Sequence, residues 1–422
     1  MARRYFGTDG VRGIAGEFLT ADLVERLGRA VTLWSGAERV FVGRDTRGSG
    51  PGLEEALTDG LVSAGATAVL GGVLPSGAVA LRALEYDLGV VITASHNPPE
   101  YNGVKFFRGA GKLSDADEEA VEALLDSPGG DRRGRVEEAS DAGGVYVDYV
   151  TSRFGSDLAR LDVVVDCANG ACSHIAPEAF ERLGASVHAV GNDPDGTNIN
   201  LGCGATDTAL LRRTVLELGA ALGLAFDGDG DRLIAVDEQG EVVDGDGILA
   251  VLALDLGVDL VVVTQMTNLG FHALMAERGI RVVTTDVGDR YVLEALEREG
   301  GILGGEQSGH IIHLGDHVTG DGLPAALLLC AALRGRTLSA AAAVVRRFTQ
   351  CKENVRVTSK RLTQPVEEAI TRVNAELGST GRVLVRPSGT EPIIRVLVEA
   401  EDENVAREAC GTIARLVESE LG

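Results

Sequence analysis

Short apolar runs rich in β-branched residues alternate along this chain with longer amphipathic segments, a pattern that predicts α/β domains with largely buried strands. The runs form a series. Residues 40–42, 163–165 and 260–263 each end in a polar loop, at Gly43-Arg44-Asp45, Asp166-Cys167-Ala168-Asn169-Gly170 and Gln265-Met266-Thr267-Asn268. A second run follows in each block, at Leu88–Ile92, Leu222–Phe226 and 302–303. The spacing, on the order of a hundred residues, predicts three related mixed α/β domains with a strand-helix core in place of one large sheet.

Domain limits are expected where the pattern lapses. The stretch 127–144 is the clearest, with Pro128-Gly129-Gly130-Asp131 and a run of charges; others fall at Glu238-Gln239-Gly240 and at 346–353. The expected domains are therefore 1–144, 145–238, 239–350 and 351–422. In the last of these, 382–385 and 393–398 read as two strands joined by a polar loop, and Glu403–Leu421 as a closing amphipathic helix. That makes a small fourth α+β domain.

Four polar loops carry the chemistry. Asp227-Gly228-Asp229-Gly230-Asp231-Arg232 places three carboxylates at alternate positions between the apolar runs Leu222–Phe226 and 233–236. In a loop loosened by Gly such side chains can converge on one hard cation, and without a counter-ion they would repel one another. Oxygen donors favour a Mg²⁺-type ion over Zn²⁺. The alternatives are a solvated acidic turn and an EF-hand calcium loop. Glu238 falls at the bidentate position of the latter, but Arg232 stands where that loop needs Gly, and the flanks read as strands.

Thr93-Ala94-Ser95-His96-Asn97-Pro98 follows the buried run Leu88–Ile92 and presents Ser95 as a candidate nucleophile, though a Ser in a polar loop is more often a turn or capping residue. Adjacency of His96 makes no Ser-His-Asp triad, so acyl transfer is not supported. Gly304-Gly305-Glu306-Gln307-Ser308-Gly309-His310 sets groups suited to sugar hydroxyls, Glu306 and Ser308, beside an imidazole that binds phosphate or moves a proton. Arg386-Pro387-Ser388-Gly389-Thr390 joins a guanidinium, two hydroxyls and backbone N–H groups freed by Gly, a combination suited to phosphate. Each of the last two loops, taken alone, is also readable as a plain turn.

Composition excludes several classes. With 422 residues and a formal net charge of -24 at pH 7, the chain lacks the basic surface that nucleic acid or an anionic membrane rewards. The only lysines are Lys105, Lys112, Lys352 and Lys360, so a Lys inside a motif is less easily ascribed to composition. Cys167, Cys172, Cys203, Cys330, Cys351 and Cys410 lack the paired spacing of a zinc or redox motif and read as reduced, partly buried thiols. The segment 1–7 has no apolar core of a secretory signal, and the apolar stretches 248–256 and 325–333 are too short to span a bilayer. A cytoplasmic enzyme is expected.

The set TASHNP at 93–98, DGDGDR at 227–232, GEQSGH at 305–310 and RPSGTEP at 386–392 resembles the α-D-phosphohexomutases over the whole chain. The opening RYFGTDGVRG at 4–13, VGDRYV at 287–292 and Gln307 are similar to the bacterial phosphoglucosamine mutase branch. The resemblance implies that Ser95 is the phosphoserine of the active enzyme, and that Mg²⁺ is held by Asp227, Asp229, Asp231 and an oxygen of the Ser95 phosphate. It implies Arg12 and Arg232 as basic residues beside that phosphate, Lys105 in general acid/base work, and His310 as a second proton-transfer candidate. Glu306, Ser308 and Arg290 become candidate substrate contacts, and Arg386, Ser388, Gly389 and Thr390 the grip on the phosphate not reacting.

The implied activity is interconversion of glucosamine 6-phosphate and glucosamine 1-phosphate, feeding UDP-N-acetylglucosamine synthesis, with glucosamine 1,6-bisphosphate or glucose 1,6-bisphosphate as activator. The alternatives are the same chemistry on glucose or mannose phosphates, and a catalytically silent sugar-phosphate binding protein. The expected partner is a hexosamine phosphate, with no nucleic acid and no membrane. The sequence leaves oligomeric state open; the family often forms homodimers.

Overall fold

The computed structural model describes residues 4–7, 9–109, 111–130, 133–388 and 392–422. Among these residues there are four sheets. Three of them share a plan. In each, the first apolar run of a block lies parallel to another strand on one side and to the second run on the other, and the second run then turns back as an antiparallel hairpin.

In the first sheet these strands are Thr67–Val73, Arg39–Arg44, Leu88–Ile92 and Tyr101–Arg108. In the second they are Ser186–Val190, Asp162–Asp166, Leu222–Phe226 and Leu233–Asp237. In the third they are Arg281–Thr285, Leu260–Thr264, Leu303–Gly305 and Ile311–His313. The repeat seen in the spacing of apolar runs is thus a repeat of topology. Leu88–Ile92, Leu222–Phe226, Leu233–Asp237 and Leu260–Thr264 are buried at every position, which is why they read as continuous apolar runs and not as alternation.

Local signals set the flanking helices. Thr20 caps Ala21–Ser35 by accepting from Leu23 N at 3.2 Å, and Gly36 ends it in the left-handed region at φ 68°. That helix packs Leu23, Val24, Leu27 and Val31 onto the core under the first sheet, where full burial of such a side chain stabilises by about 1.5–3 kcal/mol.

The chain divides into two compact units, residues 1–266 with 280–343, and residues 267–279 with 344–422. The second unit holds an antiparallel sheet ordered Thr349–Arg356, Ile393–Ala400, Gly381–Pro387, and the helices Leu269–Glu277, Gln364–Leu377 and Glu403–Leu421. Its core is built from Val366, Val373, Ile394, Val396, Val398, Ile413 and Val417. The whole is a four-domain α/β architecture with a small α+β domain at the end. Among the described residues no helix is long and apolar enough to cross a membrane.

The polar stretches hold more structure than their composition suggests. Within 127–144, Val136–Glu138 adds an edge strand parallel to Thr67–Val73. Thr349–Arg356, which covers part of the expected limit at 346–353, is the first strand of the second unit; its largely polar residues, of which Val355 alone is buried, conceal it because an edge strand is held by backbone pairing. Glu238 serves as no calcium ligand: its carboxylate accepts from the hydroxyl and the backbone N–H of Ser339.

Candidate functional site

The strands Gly381–Pro387 and Ile393–Ala400 flank the fourth motif as an antiparallel pair, and each of the other three chemically loaded loops closes a hairpin between two antiparallel strands: 93–100, 227–232 and 306–310. Strands that end in register fix the base of each loop, so a rigid sheet presents its polar groups.

Ser95 sits in the first loop at φ 51°, a left-handed conformation that a residue with a Cβ adopts at a cost of about 1–3 kcal/mol. Buried neighbours hold it there. Its N–H donates to Thr93 Oγ1 at 2.9 Å, and its carbonyl accepts from Arg47 Nη2 and Asn200 Nδ2, both at 2.9 Å. Arg47, fully buried, also bonds the carbonyls of Asn97 (2.8 Å), Tyr101 (2.9 Å) and Pro98, and pairs with Asp45 at 2.9 Å. Thr93 in turn donates to Asp45 at 2.7 Å. One guanidinium therefore organises the whole turn.

The Ser95 hydroxyl donates to Asp227 Oδ2 at 2.6 Å and lies 3.2 Å from His96 Nδ1. Gly228 is required by closeness: a Cβ there would stand 2.6 Å from the Ser95 carbonyl oxygen. The second loop is stitched down on every side through its peptide oxygens. Those of Gly228, Asp229 and Gly230 accept from the N–H groups of Ala171 (2.8 Å), Ser76 (2.9 Å) and Gly322 (2.9 Å). Leu233 N donates to Gly309 O at 2.9 Å, and Arg232 pairs with His310 in an antiparallel bridge that joins the second loop to the third.

Asp227, Asp229 and Asp231 are all buried, and one carboxylate oxygen from each lies within 4.8 Å of the others. Oδ1 of Asp229 and Oδ1 of Asp231 accept no hydrogen bond among the described residues, which is costly for buried oxygens. Orphaned oxygens in a dry, acidic cluster fit a hard divalent cation. Burial, with the charges of Asp231 and Asp229, holds the Asp227 carboxyl well above the usual range. Burial acts the same way on Asp231, yet Lys105, His310 and Arg232 outweigh it and hold that carboxyl well below.

Lys105, 1% exposed, reaches Asp229 (2.8 Å), Asp9 (3.0 Å) and Asp231 (3.3 Å). Burial opposes its charge, but those carboxylates raise its pKa above the ordinary value. Asp9 pairs also with Arg12 and Lys112, and Lys112 continues to Asp289. His310 lies 3.6 Å from Asp231 and 3.6 Å from Asp289; burial opposes protonation, but the two carboxylates push its pKa up to about 9.

The structure thus assembles Ser95, Lys105, Asp227, Asp229, Asp231, Arg232 and His310, and ties in Arg12 through Asp9. Glu306, half-buried, accepts from Gly288 N at 3.1 Å; burial raises its pKa, with His310 and Arg232 opposing. Ser308 is exposed. Arg290 is committed elsewhere in this conformation, to Asp115, to Glu118 (3.1 Å) and to the Leu113 carbonyl (2.8 Å). In the second unit, Arg386 stands opposite Arg395 in the strand pair, and the carbonyl of buried Ser388 accepts from Lys360 Nζ at 2.7 Å. Gly389 and Thr390 lie outside the described residues.

Sequence reading passed over Asp9, Lys112, Asp289, Ser76, Asn200 and the pair Asp45 and Arg47. Two signals pointed to some of them: charged residues at the carboxyl end of a buried parallel strand, and the scarcity of Lys. Ser76, whose hydroxyl donates to Asp229 Oδ2 at 2.6 Å, carries no such mark.

Comparison with known proteins completes the description. Four family models described as phosphoglucomutase/phosphomannomutase match in order: α/β/α domain I over residues 3–129, domain II over 144–240, domain III over 244–349 and the C-terminal domain over 353–416. A protein of Desulforudis audaxviator named phosphoglucosamine mutase is 48% identical, with 98% of this chain and 97% of that protein covered. One of the same name from Moorella thermoacetica is 50% identical, with 94% and 96% covered. A solved phosphoglucomutase/phosphomannomutase family protein from Burkholderia thailandensis is similar at a TM-score of 0.84 and 25% identity, covering 98% of this chain and 97% of its own.

Proposed function

This chain belongs to the phosphoglucosamine mutase family of α-D-phosphohexomutases, and we propose that it interconverts glucosamine 6-phosphate and glucosamine 1-phosphate through phospho-Ser95 and a bisphosphorylated sugar. As such it is an isomerase of amino-sugar metabolism that acts by phosphoryl transfer. The observation that carries the reading is the Ser95 hydroxyl 2.6 Å from the first carboxylate of a buried three-Asp cluster.

In the forward half, the bond from Ser95 Oγ to phosphorus breaks as a sugar hydroxyl takes the phosphoryl group and gives up its proton, and Ser95 Oγ takes a proton up. In the second half, the Ser95 hydroxyl gives up its proton as it takes the phosphoryl group from the other end of the sugar, and the departing sugar oxygen gains one. Asp227, Asp229 and Asp231, with an oxygen of the Ser95 phosphate, are the groups that would hold Mg²⁺. When bound, it draws charge off the transferring group and eases approach of the attacking oxygen.

Lys105 and His310 move the proton at the reacting sugar oxygen. Arg12 and Arg232 face the Ser95 phosphate. Glu306, Ser308 and Arg290 read the sugar, and Arg290 must leave its carboxylates to do so. Arg386, Ser388, Gly389 and Thr390 bind the phosphate that is not reacting. One loop belongs to each of the domains 1–144, 145–238, 239–350 and 351–422. Glucosamine 1,6-bisphosphate or glucose 1,6-bisphosphate primes Ser95. The enzyme works in the cytoplasm without nucleic acid or membrane partners, and the family's habit of pairing makes a homodimer its assembly.

Specificity constants for glucosamine 6-phosphate and glucose 6-phosphate decide the substrate: preference for the amino sugar is expected, and a preference for glucose assigns the chain to the phosphoglucomutase branch. Ser95→Ala is expected to lose turnover while still binding sugar phosphate. Unchanged turnover in that variant would remove Ser95 as the phosphoryl carrier.

A further inference from the structure

The second unit contains a donor cluster that has no part in the chemistry above. Cys351 and Glu353 are alternate residues of the strand Thr349–Arg356 and so point to one face of the sheet. The helix Glu403–Leu421 packs on that unit's core and brings Cys410 to the same place. One donor atom from each of the three lies within 4.8 Å of the others.

The chain's six cysteines show no paired spacing, so topology alone makes this pair. Burial is graded: Cys410 is buried, Cys351 intermediate and Glu353 exposed, which leaves a route from solvent. The Glu353 side chain has no ion pair or hydrogen bond among the described residues, its backbone pairing with Val396 in the sheet, and Arg415, beyond Cys410 on the helix, donates instead to Thr412 at 3.4 Å. Cys410 Sγ donates to the Cys351 carbonyl at 3.4 Å, and burial pushes its thiol up to about 12, with Cys351 adding to the shift. A divalent cation between these three donors displaces the thiol protons and stabilises the thiolates it binds.

We infer that Cys351, Cys410 and Glu353 form a binding site for a borderline-soft divalent cation, Zn²⁺, held by two thiolates and one carboxylate with the solvent side left for a water. Tetrahedral Zn²⁺ takes this donor set, and binding releases the two thiol protons to buffer. The site is chemically distinct from the three-Asp cluster: thiolates discriminate against Mg²⁺, and an all-carboxylate cluster supplies no sulfur. Mg²⁺ is therefore confined to the Asp cluster, and sulfur coordination is the mark of the second position.

The test is anaerobic titration of the full chain with Co²⁺, read by the thiolate-to-cobalt charge-transfer band, which Co²⁺ in the Asp cluster does not give. One equivalent of sulfur-bound Co²⁺ is expected, displaced by Zn²⁺ and untouched by excess Mg²⁺. Cys351→Ser, at the more exposed thiol, should abolish the band with far-ultraviolet dichroism unchanged, and Cys410→Ser should do likewise. Glu353→Gln should weaken Co²⁺ binding by more than about tenfold, a loss already produced by removing a mere supporting partner. A native protein that gives no such band, or a band that survives in Cys351→Ser or yields to Mg²⁺, overturns the site.

Discussion

Arg47 donates from Nη2 to the main-chain oxygen of Ser95 at 2.9 Å, and does so from a side chain with no exposed surface. The bond acts on the backbone of Ser95 and not on its hydroxyl, so with Ser95 as the proposed phosphoryl carrier Arg47 is a positioning residue. Lys cannot replace it, because an ammonium lacks the planar fork that serves four carbonyls and Asp45 together. Arg47→Lys should lower kcat by about a hundredfold with KM little changed, as expected when a nucleophile is misplaced by an ångström. Arg47→Ala should also destabilise the fold by about 3–5 kcal/mol, because it leaves Asp45 buried without its partner. Steady-state kinetics and denaturant unfolding check both. A kcat within twofold of the parent in Arg47→Lys would refute the positioning role.

Gly228→Ala adds one methyl group whose Cβ would meet the Ser95 oxygen at 2.6 Å and Asn200 Nδ2 at 2.9 Å. Neither can retreat, since each is bonded to the other. Overpacking of this kind costs about 1–3 kcal/mol, so the protein should fold with a lowered Tm. Turnover should fall far more than stability does, and parallel calorimetry and kinetics would show the separation.

The three-Asp cluster predicts a linkage between metal and modification. If phospho-Ser95 supplies an oxygen to the cation, Mg²⁺ should bind the phosphorylated protein more tightly, on the order of tenfold or more, the worth of one contact to a charged group. Titration calorimetry on the two forms, sorted by intact mass, measures it. Equal affinities would separate the metal from Ser95. Chelation with EDTA should abolish turnover, and Asp229→Asn should reduce it by several kcal/mol in the barrier.

Asp166 gives a pH signature away from the cation cluster. Its carboxylate accepts from Ala168 N (3.0 Å) and Gly204 N (2.8 Å), but burial dominates and raises its pKa to about 6. A carboxyl whose folded pKa exceeds its unfolded value binds its proton more tightly in the folded state. Stability from this group is therefore fully present below about pH 4 and is lost as pH rises through 6, by about 3 kcal/mol at most. Asp166→Asn should flatten that slope in urea titrations between pH 4 and 7, while losing about 1 kcal/mol for the one acceptor that becomes a donor.

Much of this was legible in the chain because burial on both faces of parallel strands leaves continuous apolar runs. Leu88–Ile92, Leu222–Phe226 and the helix Glu403–Leu421 were readable to the residue. The edge strands Val136–Glu138 and Thr349–Arg356 were not, since backbone pairing with a neighbour leaves little trace in side-chain polarity. The same contrast holds at the site. Asp227, Asp229 and Asp231 announce themselves by spacing, whereas Ser76, Asp9 and Asn200 reach the centre from distant segments by tertiary packing, which one sequence does not encode as a pattern.

The backbone bonds that stitch the 227–232 loop to Ser76, Ala171, Gly309 and Gly322 have a kinematic consequence. Loops from three sheets share one welded joint, so the three-Asp cluster, the Ser95 turn and the His310 loop behave as a single anvil. A sugar that must be struck first at one end and then at the other cannot be served by swivelling that anvil. The half-turn falls to the sugar itself, and the time spent loose between two strokes becomes the interval in which a bisphosphate can escape.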